Sequence, residues 1–95
     1  MHFFVGSAAV GQNLANTPNV EFSVIGPAGD GTESVSVFLQ PTGGGHFDDT
    51  FVARAKSITY SDLSGQWMAD CVVRRVDSPG DGWSLHLSVN ALWVW

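Results

Sequence analysis

The chain has 95 residues, of which 44% are apolar and 14% are charged, and its formal net charge is −5. This length excludes two ordinary domains and the composition excludes a disordered chain, so we expect one folded domain over residues 1–95. Because nine acidic side chains stand against four basic ones, the composition also excludes a broad basic surface for nucleic acid and disfavours contact with anionic membranes.

The single cysteine, Cys71, excludes an intramolecular disulfide and the zinc sites that use four Cys or two Cys and two His. The first nine residues lack the basic start and the long apolar stretch of a signal peptide, so they are interpreted as part of a strand. No apolar run approaches the ~18 residues of a membrane helix. These features favour a cytoplasmic or virion-associated protein over a secreted one.

Apolar residues recur with a period of two, which is typical of β-strands, and Gly or Pro interrupts every connection. Residues 8–18 carry Gly11, Asn13, Asn16 and Pro18 and are predicted to form a loop, with room for one helical turn. The fold class expected is all-β, a small antiparallel β-sandwich or flattened barrel of about six strands. In chain order the predicted strands cover residues 2–7, 19–26, 34–40, 50–58, 65–76 and 83–95.

The alternation in the last two strands predicts which side chains face the core. In residues 83–95 every odd position is apolar, and in residues 65–76 Trp67, Ala69, Cys71 and Val73 form a matching set. If these two strands form a hairpin in which Val73 lies opposite Leu85, the apolar side chains of both strands lie on the same face of the sheet. The same reasoning predicts a second hairpin, in which Val20 pairs with Leu39 and Val24 with Val35.

The loop from Gly43 to Asp49 is the most site-like segment, because His46, Asp48 and Asp49 lie close together on glycine-rich backbone. A metal site there would need further ligands, which Asp30, Glu33 and Asp81 could supply only if loops converge. The spacing matches no defined ligand pattern. We therefore predict solvated turns at these ligand-loop candidates, with no metal and no cofactor.

The predicted hairpin places Asp70, His86 and serines on one exposed face, which invites comparison with a catalytic triad. A flat sheet face offers neither an enclosed serine nor oxyanion donors, and the chain has no Gly-x-Ser-x-Gly turn. Cys71 falls among apolar neighbours, where it acts as a small core residue and not as a nucleophile. The sequence therefore favours a protein without catalytic activity.

Several apolar residues occupy positions whose parity points away from the core, and the long last strand is predicted to offer a free edge. These observations predict a non-catalytic module that acts by protein–protein contact or by homo-oligomeric assembly, as small viral or mobile-element proteins do. One alternative is a carbohydrate-binding module that uses exposed Trp residues and the acidic loops, and another is a small metal-dependent or hydrolytic enzyme. The interface candidates are Phe38, Val52, Leu92, Val94 and Trp95, with Ile25 as a further outward-facing residue.

Overall fold

The computed structural model describes residues 1–43, 46–47 and 51–95, and the fold in these residues is all-β. None of the described residues form a helix long and apolar enough to cross a membrane. The strands are β1 Phe3–Asn13, β2 Val20–Ala28, β3 Ser36–Gly43, β4 His46–Phe47, β5 Phe51–Ser61, β6 Gln66–Arg75 and β7 Trp83–Val94.

The strands form two antiparallel sheets that pack face to face, so the predicted small β-sandwich is confirmed. One sheet has the order β1-β7-β3-β4 and is called the A sheet; the other has the order β2-β6-β5 and is called the B sheet. The central strands, β7 and β6, contribute most of the buried apolar side chains because each is covered on one side by the opposite sheet and flanked by two neighbours.

Two clusters of buried side chains fill the space between the sheets. The first surrounds Trp93, which is fully buried, and includes Val24, Ala69, Cys71 and Ala91. The second lies at the other end of the sandwich and consists of Phe51, Val73, Trp83 and Leu87. Each cluster draws residues from both sheets, so the core holds the sheets together along their length.

Both predicted hairpins are wrong, although the residues assigned to the core are largely correct. β6 pairs with β2 and β5, whereas β7 pairs with β1 and β3, so Val73 and Leu85 belong to different sheets. Val20 likewise pairs with Val73 and not with Leu39. The loops at residues 29–35 and 76–82 are long enough to cross the ~10 Å between packed sheets. Two strands that face each other across the core show the same alternation of apolar residues as two strands paired in a hairpin, so alternation alone did not distinguish these arrangements.

The prediction of a loop over residues 8–18 is wrong for residues 8–13, which continue β1. Gly11 has a φ of 78° and lies at an irregularity in the pairing with β7, which shifts the register by one residue. Beyond it, the buried Asn13 side chain donates to the carbonyl of Thr17 at 2.8 Å and accepts from the Thr17 hydroxyl at 3.1 Å. The loop therefore starts only after Asn13, and Asn13 itself orders it.

Leu85 is the one position at which the predicted alternation of β7 fails. Its side chain is 39% exposed, although its parity matches the buried Trp83 and Leu87. The pairing of β3 with β7 ends at Leu87, and Leu85 lies against Gly43 beyond that point. Leu85 accordingly belongs to neither of the two core clusters.

Candidate interaction surface

The outer face of the A sheet carries a row of apolar side chains that crosses three strands. Val5 of β1 lies opposite Leu92 of β7, and Leu92 lies opposite Phe38 of β3. The next outward row contains Phe3 opposite Val94. Because residues that pair directly in an antiparallel sheet share a face and lie ~5 Å apart, these five side chains form one continuous surface. We call it the apolar patch: Phe3, Val5, Phe38, Leu92 and Val94.

The apolar patch is open to solvent, and among the described residues no Asp, Glu, Lys or Arg lies beside it on the same sheet face. Phe3 and Phe38 are each 62% exposed and Val5 is 74% exposed, values far above those of the core residues. The described outward positions that continue these three strands include no Asp, Glu, Lys or Arg, namely Ser7, Ala9, Ser36, Gln40, Thr42, Ser84, His86, Ser88 and Asn90. Along a strand with one solvated face, apolar residues that point to the core normally alternate with charged or polar residues that point to solvent. At this end of the A sheet, the residues that point to solvent are apolar as well.

β1 forms one edge of the A sheet, and its regular part, residues 3–9, lacks the features that usually protect an edge strand. Its sequence, FFVGSAAVGQN, contains no Lys, no Pro and no acidic residue. Edge strands of soluble proteins commonly carry such residues because their free N–H and C=O groups otherwise pair with another chain. The structure corrects the prediction that the last strand offers this edge, because β7 is paired on both sides.

The structure brings together only some of the predicted interface residues. Phe38, Leu92 and Val94 lie in the apolar patch, whereas Val52 and Ile25 lie on the outer face of the B sheet. Trp95 has the parity of the core and packs partly buried against the Trp93 cluster. Its ring stacks on His2 at a centroid distance of 5.4 Å, so Trp95 is covered by its own chain.

The predicted ligand loops divide between described and undescribed residues. Asp48, Asp49 and the side chain of His46 lie outside the described residues. Asp30 accepts hydrogen bonds from the Thr32 hydroxyl at 2.6 Å and the Thr32 backbone N–H at 2.9 Å, which lower the pKa of its carboxyl to about 2. Asp81 accepts a hydrogen bond from the Ser78 hydroxyl. Among the described residues, no group of three or more His, Cys, Asp or Glu side chains is placed to hold a metal.

The residues considered for catalysis are separated by the sandwich. Asp70 lies in the B sheet, where it accepts hydrogen bonds from Ser23 and Ser57, and His86 lies in the A sheet. Cys71 is 1% exposed, and burial together with the charge of Asp70 raises the pKa of its thiol to about 11. The predicted core position of Cys71 is confirmed.

The four Trp side chains form no exposed platform of the kind that stacks on sugars. Trp83 and Trp93 are buried, while Trp67 and Trp95 are half-buried. The indole N–H of Trp67 donates to Glu33 at 2.8 Å, and that of Trp83 donates to the carbonyl of Gly11 at 2.8 Å. The aromatic rings therefore serve packing and loop attachment.

Phe3 and Val5 are the members of the apolar patch that sequence reasoning missed. Their signal was present, because Phe4, Gly6 and Ala8 face inward and the odd positions of β1 must then face outward. What the sequence lacked was the pairing of β1 with β7, which places Val5 beside Leu92.

No protein-family model matches this chain, and no curated protein or solved structure matches it either.

Proposed function

We propose that this chain is a non-catalytic β-sandwich module that assembles with copies of itself through the outer face of the A sheet. The observation that carries the proposal is the row of Val5, Leu92 and Phe38, in register across three strands and open to solvent. Contact with a second copy removes this apolar surface from water, and burial of apolar surface is the main driving force of protein association.

The size of the apolar patch sets the strength of the expected association. Since a whole aromatic side chain contributes about 150–250 Å² and Val or Leu somewhat less, the exposed parts of its side chains sum to roughly 450 Å². Two copies packed face to face bury roughly twice that area, about 900 Å², which is below the ~1,200 Å² typical of stable specific interfaces. The apolar patch alone therefore supports a weak dimer, with a dissociation constant of roughly 1–100 μM.

The unprotected edge of β1 provides the additional contact that a tighter assembly needs. Antiparallel pairing of two β1 strands across a two-fold axis would join both A sheets into one continuous sheet. Phe3 and Val5 lie on β1 itself, so this pairing would also bring the two apolar patches side by side.

Sedimentation velocity of the wild-type chain and two variants tests the proposal. Phe38→Asp places a carboxylate within the apolar patch, where its desolvation opposes association, and we expect this variant to remain at the monomer mass of 10.1 kDa. Ile25→Asp is the matched control, because Ile25 is 58% exposed on a strand of the B sheet. We expect it to associate as the wild type does.

Two results would contradict the proposal. A wild-type chain that stays monomeric at 200 μM would show that the apolar patch does not mediate self-association. Loss of association in the Ile25→Asp variant, with association retained in Phe38→Asp, would place the interface on the B sheet instead. Circular dichroism and thermal melting of both variants establish that each is folded.

A further inference from the structure

The outer face of the B sheet differs in chemistry from the apolar patch, because it gathers most of the positive charge of the chain. An open depression of about 650 Å³ lies on this face. Three of the four basic residues of an otherwise acidic chain contribute to it. Its lining residues are Asn19, Glu21, Val52, Arg54, Lys56, Val72 and Arg74.

The register of β5 and β6 places two arginines within reach of one ligand. Arg54 pairs with Val72 and Val52 pairs with Arg74, so the arginines occupy one diagonal of the face and the valines occupy the other. Diagonal neighbours lie ~7–8 Å apart at most, which long side chains span easily. Val72 is only 8% exposed although it points outward, which shows that the long side chains around it cover the floor of the depression.

The acidic residues near the depression are already paired. Glu21, which lies beside Val72 on β2, forms an ion pair with Lys56. Asp70, one row along the same face, is held by the hydroxyls of Ser23 and Ser57. Among the described residues, no carboxylate makes an ion pair with Arg54 or Arg74. Within the described part of the chain, the two positive charges on this diagonal are therefore not neutralised by an ion pair.

We propose that this depression binds a phosphate or sulfate monoester of a small molecule, with Arg54 and Arg74 clamping the oxyanion. A guanidinium group donates two parallel hydrogen bonds to such an oxyanion, and a group with three free oxygens accepts from two guanidinium groups at once. The exposed Val52 side chain then contacts the apolar part of the ester. The site lies on the opposite side of the sandwich from the apolar patch and does not depend on self-association.

Titration followed by 1H–15N NMR tests this proposal, with phenyl phosphate, phenyl sulfate and inorganic phosphate as probes in 0.15 M NaCl. Because the site is open to solvent, we expect a dissociation constant on the order of 1 mM for the esters, with shifts centred on β5 and β6. Inorganic phosphate should bind several-fold more weakly because it lacks the ring that contacts Val52. Comparison of the two esters identifies which oxyanion is preferred.

Charge-matched variants separate a specific clamp from general attraction. Arg54→Gln and Arg74→Gln should each weaken binding of the preferred ester at least tenfold, and Arg74→Lys should weaken it several-fold because the fork is lost while the charge remains. The double variant Lys56→Gln/Glu21→Gln removes the neighbouring ion pair without changing the net charge of the depression, and it should weaken binding less than threefold. Equal losses in this double variant and in Arg74→Gln, or no shifts at 50 mM ester, would overturn the proposal.

Discussion

The contact between Gly26 and Trp93 gives the most direct test of how the sandwich is packed. A Cβ atom added at Gly26 would lie 2.7 Å from Cε2 and 2.8 Å from Cζ2 of the Trp93 ring. Carbon atoms in contact are ~3.5–4.0 Å apart, so the ring must move by about 0.8 Å or more. Trp93 is fully buried between the sheets, so the surrounding core resists that movement.

We therefore expect Gly26→Ala to lower the free energy of unfolding by about 1–3 kcal/mol, the usual cost of overpacking a core. In a domain of this size 1 kcal/mol corresponds to about 4–8 °C, so the melting temperature should fall by roughly 4–24 °C. The assay is thermal unfolding followed by circular dichroism, with urea unfolding as a second measure of the free energy.

Gly6→Ala is the matched control, because the nearest atoms to a Cβ at Gly6 lie 3.5 and 3.6 Å away and no rearrangement is needed. It should be neutral or stabilise by a few tenths of a kcal/mol, since alanine restricts the unfolded chain more than glycine does. A double variant completes the test. Trp93→Phe removes the ring atoms that the new methyl would meet, so Gly26→Ala should cost less in that background. A melting temperature for Gly26→Ala within 2 °C of the wild type would refute the packing argument.

Two further predictions follow from the titrating side chains. The Cys71 thiol is buried and its pKa is about 11, so at pH 8 about one thiol in a thousand is ionised. Labelling by a soluble disulfide reagent should therefore be slow until denaturant is added. Fast labelling of the native protein would show that this part of the core opens readily. Hydrogen bonds from Thr32 hold the pKa of Asp30 at about 2, below its usual 3.8, so the ionised carboxyl stabilises the fold above about pH 4 and this stabilisation is lost as the pH falls towards 2. The difference in melting temperature between the wild type and Asp30→Asn should therefore shrink over that interval, and a constant difference would contradict it.

The sequence predicted the strands and their buried faces because alternation alone determines them. Trp93, Val89 and Cys71 were assigned to the core from their parity, and each is at most 1% exposed. The predicted first strand ends at residue 7 because Ala8, Ala9 and Gly11 have low strand propensity, whereas β1 continues to Asn13. They are accommodated because β1 pairs with β7 along a continuous register up to the irregularity at Gly11.

The partners of each strand could not be predicted by the same reasoning. The apolar side chains of a strand match those of a neighbouring strand in the same sheet or those of a strand in the opposite sheet. The odd or even position of a residue along its strand does not distinguish these two arrangements. For this reason the sequence grouped Val52 with Phe38 as interface candidates, although they lie on opposite sides of the sandwich. The depression at Arg54 and Arg74 was also invisible, because it depends on the pairing of β5 with β6.

Sedimentation equilibrium of the wild type from 1 to 300 μM is the decisive measurement for assembly through the apolar patch. We expect an average mass that rises with concentration from 10.1 kDa towards at least twice that value. The rise should persist or strengthen when salt is raised to 1 M, because the contact is apolar and not ionic. An average mass that remains at 10.1 kDa over the whole range, at both salt concentrations, would show that the apolar patch does not join copies of this chain.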